Sequence, residues 1–157
     1  MLRDEVGPWL RERGFKKRRN RFRREHDAGW QVVDFQASQW GSRDDVRFTI
    51  NVWVGVSELR VADADAQFQE RVGSLLPEGE DQWWPVPDDT DTAALGQDLW
   101  QVLEDHCLPW LEKRTTLDQL IRLADEDPER FPRYQLGRFR MLLERSGLND
   151  LAANLRT

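Results

Sequence analysis

Apolar and polar positions alternate most clearly between Val46 and Val54, where every even-numbered residue is apolar. Successive residues of a strand point to opposite faces, so this pattern predicts a strand with one buried face. The same alternation over Trp30–Ser38 predicts a second strand beside it. We therefore expect an antiparallel sheet that is buried on one face and polar on the other, with Phe35 and Phe48 among the buried residues.

The whole pattern predicts an α+β fold. An amphipathic helix over residues 2–14, interrupted at Gly7-Pro8, precedes a sheet of about four mostly antiparallel strands. The predicted strands are Lys17–Arg24, Trp30–Ser38, Val46–Val56 and Gln67–Leu75, with a short extended piece at Gln82–Val86.

The last third of the chain has a helical period. It begins near Thr92 and is broken at Pro109. Thr116–Gln119 matches a capping box, and two short helices are expected at about 134–145 and 149–156. We expect residues 1–157 to form a single domain, with an α+β core over 1–114 and a helical C-terminal extension over 115–157.

Charge is distributed unevenly along the chain. Lys16–Arg24 contains seven basic residues and no acid, although the whole chain has a net charge of −6. This run has three interpretations: a phosphate- or nucleic-acid-binding surface, a solvated edge strand, or a surface that docks onto the acidic segment 78–91. The phosphate-binding candidates are Lys17, Arg18, Arg19, Arg21 and Arg23. Because the rest of the chain is acidic, we do not expect nucleic acid to be the partner.

Motifs of known chemistry are missing from the sequence. Neither His26 nor His106 has a second metal ligand at a suitable spacing, apart from the adjacent Cys107, which points about 100° away on a helix. Phosphate loops, nucleophile elbows and zinc-protease motifs are absent. We expect no catalytic residues, no metal and no cofactor. The single cysteine and the lack of a membrane-spanning run or signal peptide indicate a cytoplasmic protein.

Two other groups of residues are candidate sites. The polar face of the sheet offers Asp34, Gln36, Arg47, Thr49, Asn51 and Trp53. Hydrogen-bonding groups beside tryptophan can hold a small polar ligand or a peptide, but they can equally satisfy one another on a solvated face. Trp83 and Trp84, in a tryptophan-rich chain, should point in opposite directions, so that one faces inward and the other can contact a partner.

Short pieces of the chain also occur in the order seen in a bacterial family. They are Gly14–Lys17, Phe22, Trp30–Val33, Phe35–Ser38, Val46–Asn51, Arg71–Gly73, Leu76-Pro77 and Trp83-Trp84. Over about residues 2–112 the chain thereby resembles the family called domain of unknown function 4304, although Asp34 and Phe68 depart from its pattern. The resemblance implies a bacterial cytoplasmic origin and supports the strand order, but it implies no activity.

The sequence leaves two functions open. The first is a non-enzymatic module that binds a protein partner, of an immunity or regulatory type. The alternative is phosphate or nucleic-acid binding through residues 16–24. We expect no membrane association, and a monomer or weak homodimer.

Overall fold

The computed structural model describes residues 2–39, 46–59, 67–126, 131 and 133–155. Its strands are β1 (Lys16–Arg18), β2 (Arg21–His26), β3 (Gly29–Ala37), β4 (Arg47–Val56), β5 (Phe68–Arg71) and β6 (Trp84–Pro85). Its helices are α1 (Leu2–Glu12), α2 (Thr92–Val102), α3 (Leu108–Glu112), α4 (Leu117–Glu126), α5 (Arg133–Arg145) and α6 (Asn149–Asn154). A 3₁₀ turn covers Val72–Leu75, and a π-helical turn covers Leu103–Cys107.

The described strands form one antiparallel sheet in the order β1-β2-β3-β4-β5, with β6 also paired to β4. An N-terminal helix, this sheet and the C-terminal helices make an α+β fold, as the sequence predicts. The centre of the sheet is the long β3–β4 pair, which places Phe35 opposite Ile50 and Val33 opposite Val52. Those four residues are buried together with Phe48, so the predicted phase of both strands is confirmed.

The sheet has more strands than the four that the sequence predicts. Lys17–Arg24 is not one strand, because a turn at Arg19-Asn20 divides it into β1 and β2. The side-chain amide of Asn20 donates to the carbonyl of Phe35 at 2.8 Å, which fixes this turn against β3. The predicted fourth strand is shorter than expected and passes into the 3₁₀ turn, whereas Trp84–Pro85 joins the sheet beside Phe48.

Two predicted helix breaks differ from the structure. Helix α1 continues through Gly7-Pro8, although Pro8 lies inside the helix and removes one backbone hydrogen bond. Burial of the fully covered side chains of Val6 and Leu10 offsets this loss and holds the helix in place. Before Pro109 the helix widens into the π turn, where the N–H of Leu108 bonds to Leu103, five residues back. The wider turn relieves the clash between the proline ring and the preceding turn, so the chain continues helically into α3.

The helical C-terminal part packs on the sheet. The predicted capping box is confirmed, since Thr116 and Gln119 exchange hydrogen bonds between side chain and backbone at 3.0 and 3.2 Å. Phe131 and Phe139 lie against Phe68 of β5, with ring centroids 5.8 and 5.7 Å from it. The buried apolar residues therefore form one cluster that runs from α1 to the end of the described chain. No described helix is long and apolar enough to cross a membrane.

Candidate functional site

Strand register sorts the sheet residues onto two faces. Asp34 lies opposite Asn51, Gln36 opposite Thr49, and Val32 opposite Trp53. All six predicted ligand candidates belong to this set of alternate positions, which we call the polar face: Asp34, Gln36, Arg47, Thr49, Asn51 and Trp53. The apolar core and the helices that pack on it lie against the other face, which carries Val33, Phe35, Phe48 and Ile50.

Several of these polar groups bond to one another. The amide of Asn51 donates to the side-chain oxygen of Gln36 at 2.8 Å, and the Arg21 guanidinium donates to the Asp34 carboxylate at 3.2 Å. Asp34 and Thr49 are buried. The Thr49 hydroxyl has no hydrogen-bond partner among the described residues. The geometry therefore pairs Asp34, Gln36 and Asn51 with neighbours instead of grouping them around a shared cavity.

An open cleft on the polar face brings the phosphate-binding candidates of the basic run together with Trp53. It has a volume of about 430 Å³ and is lined by Arg18, Arg19, Asn20, Arg21, Arg23, Val32 and Trp53. Residues two apart on a strand share a face, so the basic run of β1 and β2 places alternate arginines here. Lys17, the fifth phosphate-binding candidate, lies opposite Phe22 in the register and so belongs to the other face.

Arginine side chains stack on tryptophan rings along the polar face. The guanidinium of Arg21 lies 4.3 Å from the ring centre of Trp53, and that of Arg23 lies 5.1 Å from Trp30. Each of these arginines also forms an ion pair: Arg21 with Asp34, and Arg23 with Glu25. Stacking and ion pairing together hold both guanidinium groups in place at the cleft wall.

The two remaining arginines of the cleft differ from this pattern. Within the part of the chain that the structure describes, the exposed side chains of Arg18 and Arg19 have no hydrogen-bond or ion-pair partner. Arg19 also has a backbone φ of 60°, a region that non-glycine residues seldom adopt. The cleft thus combines two fixed arginines, two unpaired arginines and an aromatic wall.

Trp83 and Trp84 point in opposite directions, as predicted. Trp84 stacks on Phe48 with ring centroids 5.5 Å apart, so it belongs to the apolar face. The indole N–H of Trp83 donates to Asp81 at 2.8 Å, and the guanidinium of Arg71 lies 5.6 Å from its ring. The bond from Trp83 is the main reason that the pKa of Asp81 lies below its usual value, and Arg71 lowers it further.

His106 and Cys107 are adjacent in the π-helical turn but have different surroundings. Cys107 is fully buried, and burial raises its pKa to about 12. His106, the next residue, instead lines a mixed polar and apolar cleft beside Trp110 and Leu75. The described residues hold no cluster of three or more histidine, cysteine or acidic side chains that could bind a metal ion.

Asn20 and Val32 line the cleft but are missing from the sequence-based candidates, and of these two the polar residue is Asn20. It lines the cleft and anchors the turn to Phe35. Asn20 is the only uncharged residue within Lys16–Arg21, and asparagine favours tight turns. The sequence therefore contains a signal for a turn at this position. That signal locates the turn but not the cleft, which depends on the distant Trp53.

Three comparisons with known proteins were informative to different degrees, and the comparison with family models gives a match. Neither the curated proteins nor the solved structures contain a match to this chain. The family model described as domain of unknown function (DUF4304) matches residues 6–113, which is more than half of the chain and includes the whole sheet. The chain therefore belongs to the domain of unknown function 4304 family.

Proposed function

We propose that this protein is a binding module that holds an acidic segment of a partner protein in the arginine-lined cleft of the polar face. The observation that carries the proposal is the pair Arg18 and Arg19, which lie beside Trp53 without an acidic partner among the described residues. Guanidinium groups bind carboxylates through paired hydrogen bonds, and tryptophan supplies apolar contact area for the stems of acidic side chains.

Overall charge favours a short acidic segment over a long polyanion. The net charge of −6 repels an extended polyanion beyond the immediate cleft, whereas a few carboxylates can be bound by the local arginines alone. The fixed guanidinium groups of Arg21 and Arg23 reduce the entropy lost on binding, because their side chains are already ordered by Trp53 and Trp30.

Binding of a fluorescein-labelled polyglutamate peptide tests this proposal. We expect salt-sensitive binding to the full chain, weakened about tenfold or more by Arg18→Ala with Arg23→Ala, because each lost charged hydrogen bond costs on the order of 1.5–3 kcal/mol. The matched control removes two exposed arginines from α4 and α5, in Arg122→Ala with Arg145→Ala. Equal weakening by both double variants, or equal binding of a neutral peptide, would contradict the proposal.

Phosphate or nucleic-acid binding is the second candidate, and a specific feature favours it. Four arginines around one cleft can contact phosphates, while the Trp53 ring can stack on a base. We nevertheless expect random duplex and single-stranded oligonucleotides to bind no better than the non-specific range of about 10⁻⁴–10⁻⁶ M at physiological salt. Sub-micromolar binding that is lost in Arg18→Glu with Arg21→Glu would favour this second function over the first.

A further inference from the structure

An apolar groove opens on the opposite side of the β1–β2 hairpin from the arginine-lined cleft. It has a volume of about 340 Å³. Its apolar lining residues are Phe22, Phe35, Ala37, Val46, Phe48 and Val86. Val46 is 51% exposed, although nearly all other large apolar side chains of the described residues are covered. An open apolar surface of this kind is typical of a site that receives an apolar group.

The groove and the cleft meet at the hairpin turn. Arg19 and Asn20 line both openings. Asn20 holds this turn against β3 through Phe35, with one hydrogen bond from its side chain and one to its backbone oxygen. A segment that crosses the turn would therefore contact the basic cleft on one side and the apolar groove on the other.

The described residues that line the groove carry charge of one sign. Lys17, Arg19 and Arg47 are among them, and none of these described residues is acidic. Such a rim favours an apolar group that is flanked by negative charge, and disfavours one that is flanked by lysine or arginine. The charge of the rim thus matches the partner expected for the neighbouring cleft.

We propose that the groove binds a bulky apolar side chain, such as leucine or phenylalanine, carried by the same acidic segment that the cleft binds. The inference rests on the proposed function for the acidic part of the segment. It adds a requirement for an apolar anchor, inserted between Phe35, Phe48 and Val46. Central apolar anchors in pockets commonly dominate the affinity of protein–protein contacts.

Two labelled acidic peptides that differ at one central position, leucine or serine, test the anchor. We expect the leucine peptide to bind the full chain about tenfold more tightly than the serine peptide, as burial of part of a leucine side chain implies. Ala37→Trp should fill the groove, because Ala37 is exposed and lines it. This variant should remove the advantage of leucine while the affinity of the serine peptide stays unchanged.

Two further variants keep the test independent of folding. Ala93→Trp is the matched control, since Ala93 is exposed on α2 away from the groove, and it should leave the advantage of leucine intact. Val46→Asp should reduce that advantage as Ala37→Trp does, because it places a carboxylate inside the groove at a half-exposed position that tolerates substitution.

Each result bears on one proposal. Equal binding of the two peptides, or an advantage of leucine that survives both groove variants, would overturn the anchor and leave the acidic-segment function standing. If neither peptide binds, the proposed function fails. The groove is then tested alone with the aromatic anion anilinonaphthalene sulfonate: fluorescence enhancement that Ala37→Trp abolishes supports an anionic apolar ligand, and unchanged enhancement overturns it.

Discussion

Individual arginines of the polar face have different roles despite their identical chemistry. Arg21 lies between the buried Asp34 carboxylate and the Trp53 ring, so it helps hold the sheet surface together. Arg18 has no such contacts among the described residues. Substitution of Arg21 should therefore affect both stability and binding, because the buried carboxylate of Asp34 would lose a partner. Substitution of Arg18 should affect binding alone.

Among the core residues of β4, Phe48 is the one whose truncation should lower the free energy of unfolding most. It is 4% exposed and contacts the rings of both Phe35 and Trp84. Phe48→Ala should lower the free energy of unfolding by about 3–5 kcal/mol, as for other large-to-small core changes. Urea unfolding measures this, with Val46→Ala as a control that should cost far less because Val46 is half exposed. A cost below about 1 kcal/mol would mean that the ring is not packed as described.

His26 should make stability depend on pH. Burial lowers its pKa from the usual 6.5, nearby Arg24 lowers it further, and Asp27 opposes them. A lowered folded pKa means that the unfolded chain takes up the proton first. The contribution of His26 is therefore complete above about pH 6.5 and is lost as the pH falls toward the folded pKa.

Unfolding midpoints between about pH 7.5 and 5.5 measure this effect, in a range where histidine titrates and most carboxylates do not. We expect the midpoint to fall on acidification in the wild-type protein and to fall less in His26→Gln. If the unfolding midpoint of His26→Gln depended on pH as strongly as that of the wild-type protein, the effect would come from another group.

At the level of single elements, the β1–β2 hairpin combines a strained turn with one wall of the arginine-lined cleft. Arg19 has a φ of 60°, whereas Asn20 does not have a positive φ. This combination is the pattern of a type II′ turn, whose first central position strongly favours glycine. An arginine here reduces stability, and it also supplies the cleft with a charge that has no partner among the described residues. Strain that is kept at a candidate site is consistent with a role in binding.

Arg19→Gly should therefore separate stability from binding. Relief of the unfavourable φ should raise the free energy of unfolding by about 1 kcal/mol, and loss of the guanidinium should weaken binding of the acidic peptide. Denaturant unfolding and peptide anisotropy on the same samples measure the two effects. Arg18→Gly is the matched control, since a glycine inside a strand should destabilise the protein instead. A less stable Arg19→Gly variant would show that the turn needs the arginine side chain.

The sequence predicts the strands of this fold better than the turns that divide them. Alternation of large apolar residues determines the phase of β3 and β4, because only one phase buries Phe35 and Ile50 together. The turn at Arg19-Asn20 is less visible, since a run of charged residues looks the same on both sides of it. The cleft cannot be predicted from the sequence for another reason. Trp53 lies more than thirty positions after the turn, and it reaches the hairpin only because β3 pairs with β2 on one side and with β4 on the other.

For the molecule as a whole, the C-terminal helices complete the core of the sheet. The family match ends at residue 113, yet Phe68 inside it packs on Phe131 and Phe139 beyond it. Arg138 of α5 also donates to the backbone oxygen of Gln67 at 2.6 Å. These contacts support the prediction that the whole chain folds as a single domain, since removal of either part would expose aromatic surface.

Phe139→Ala tests that prediction at a site outside the family match. Phe139 is fully buried, so its truncation should cost about 3–5 kcal/mol. Tryptophan fluorescence reports on the family-matched part of the chain, because all eight tryptophans lie between residues 9 and 110. In a single cooperative domain, urea unfolding followed by this fluorescence should shift to the same lower midpoint as far-UV circular dichroism, with an unchanged slope. Met141→Ala, at an exposed position of the same helix, is the control and should shift neither signal appreciably. If circular dichroism shows an early transition while the fluorescence midpoint stays at the wild-type value, the C-terminal helices unfold independently, and the sheet is stable without them.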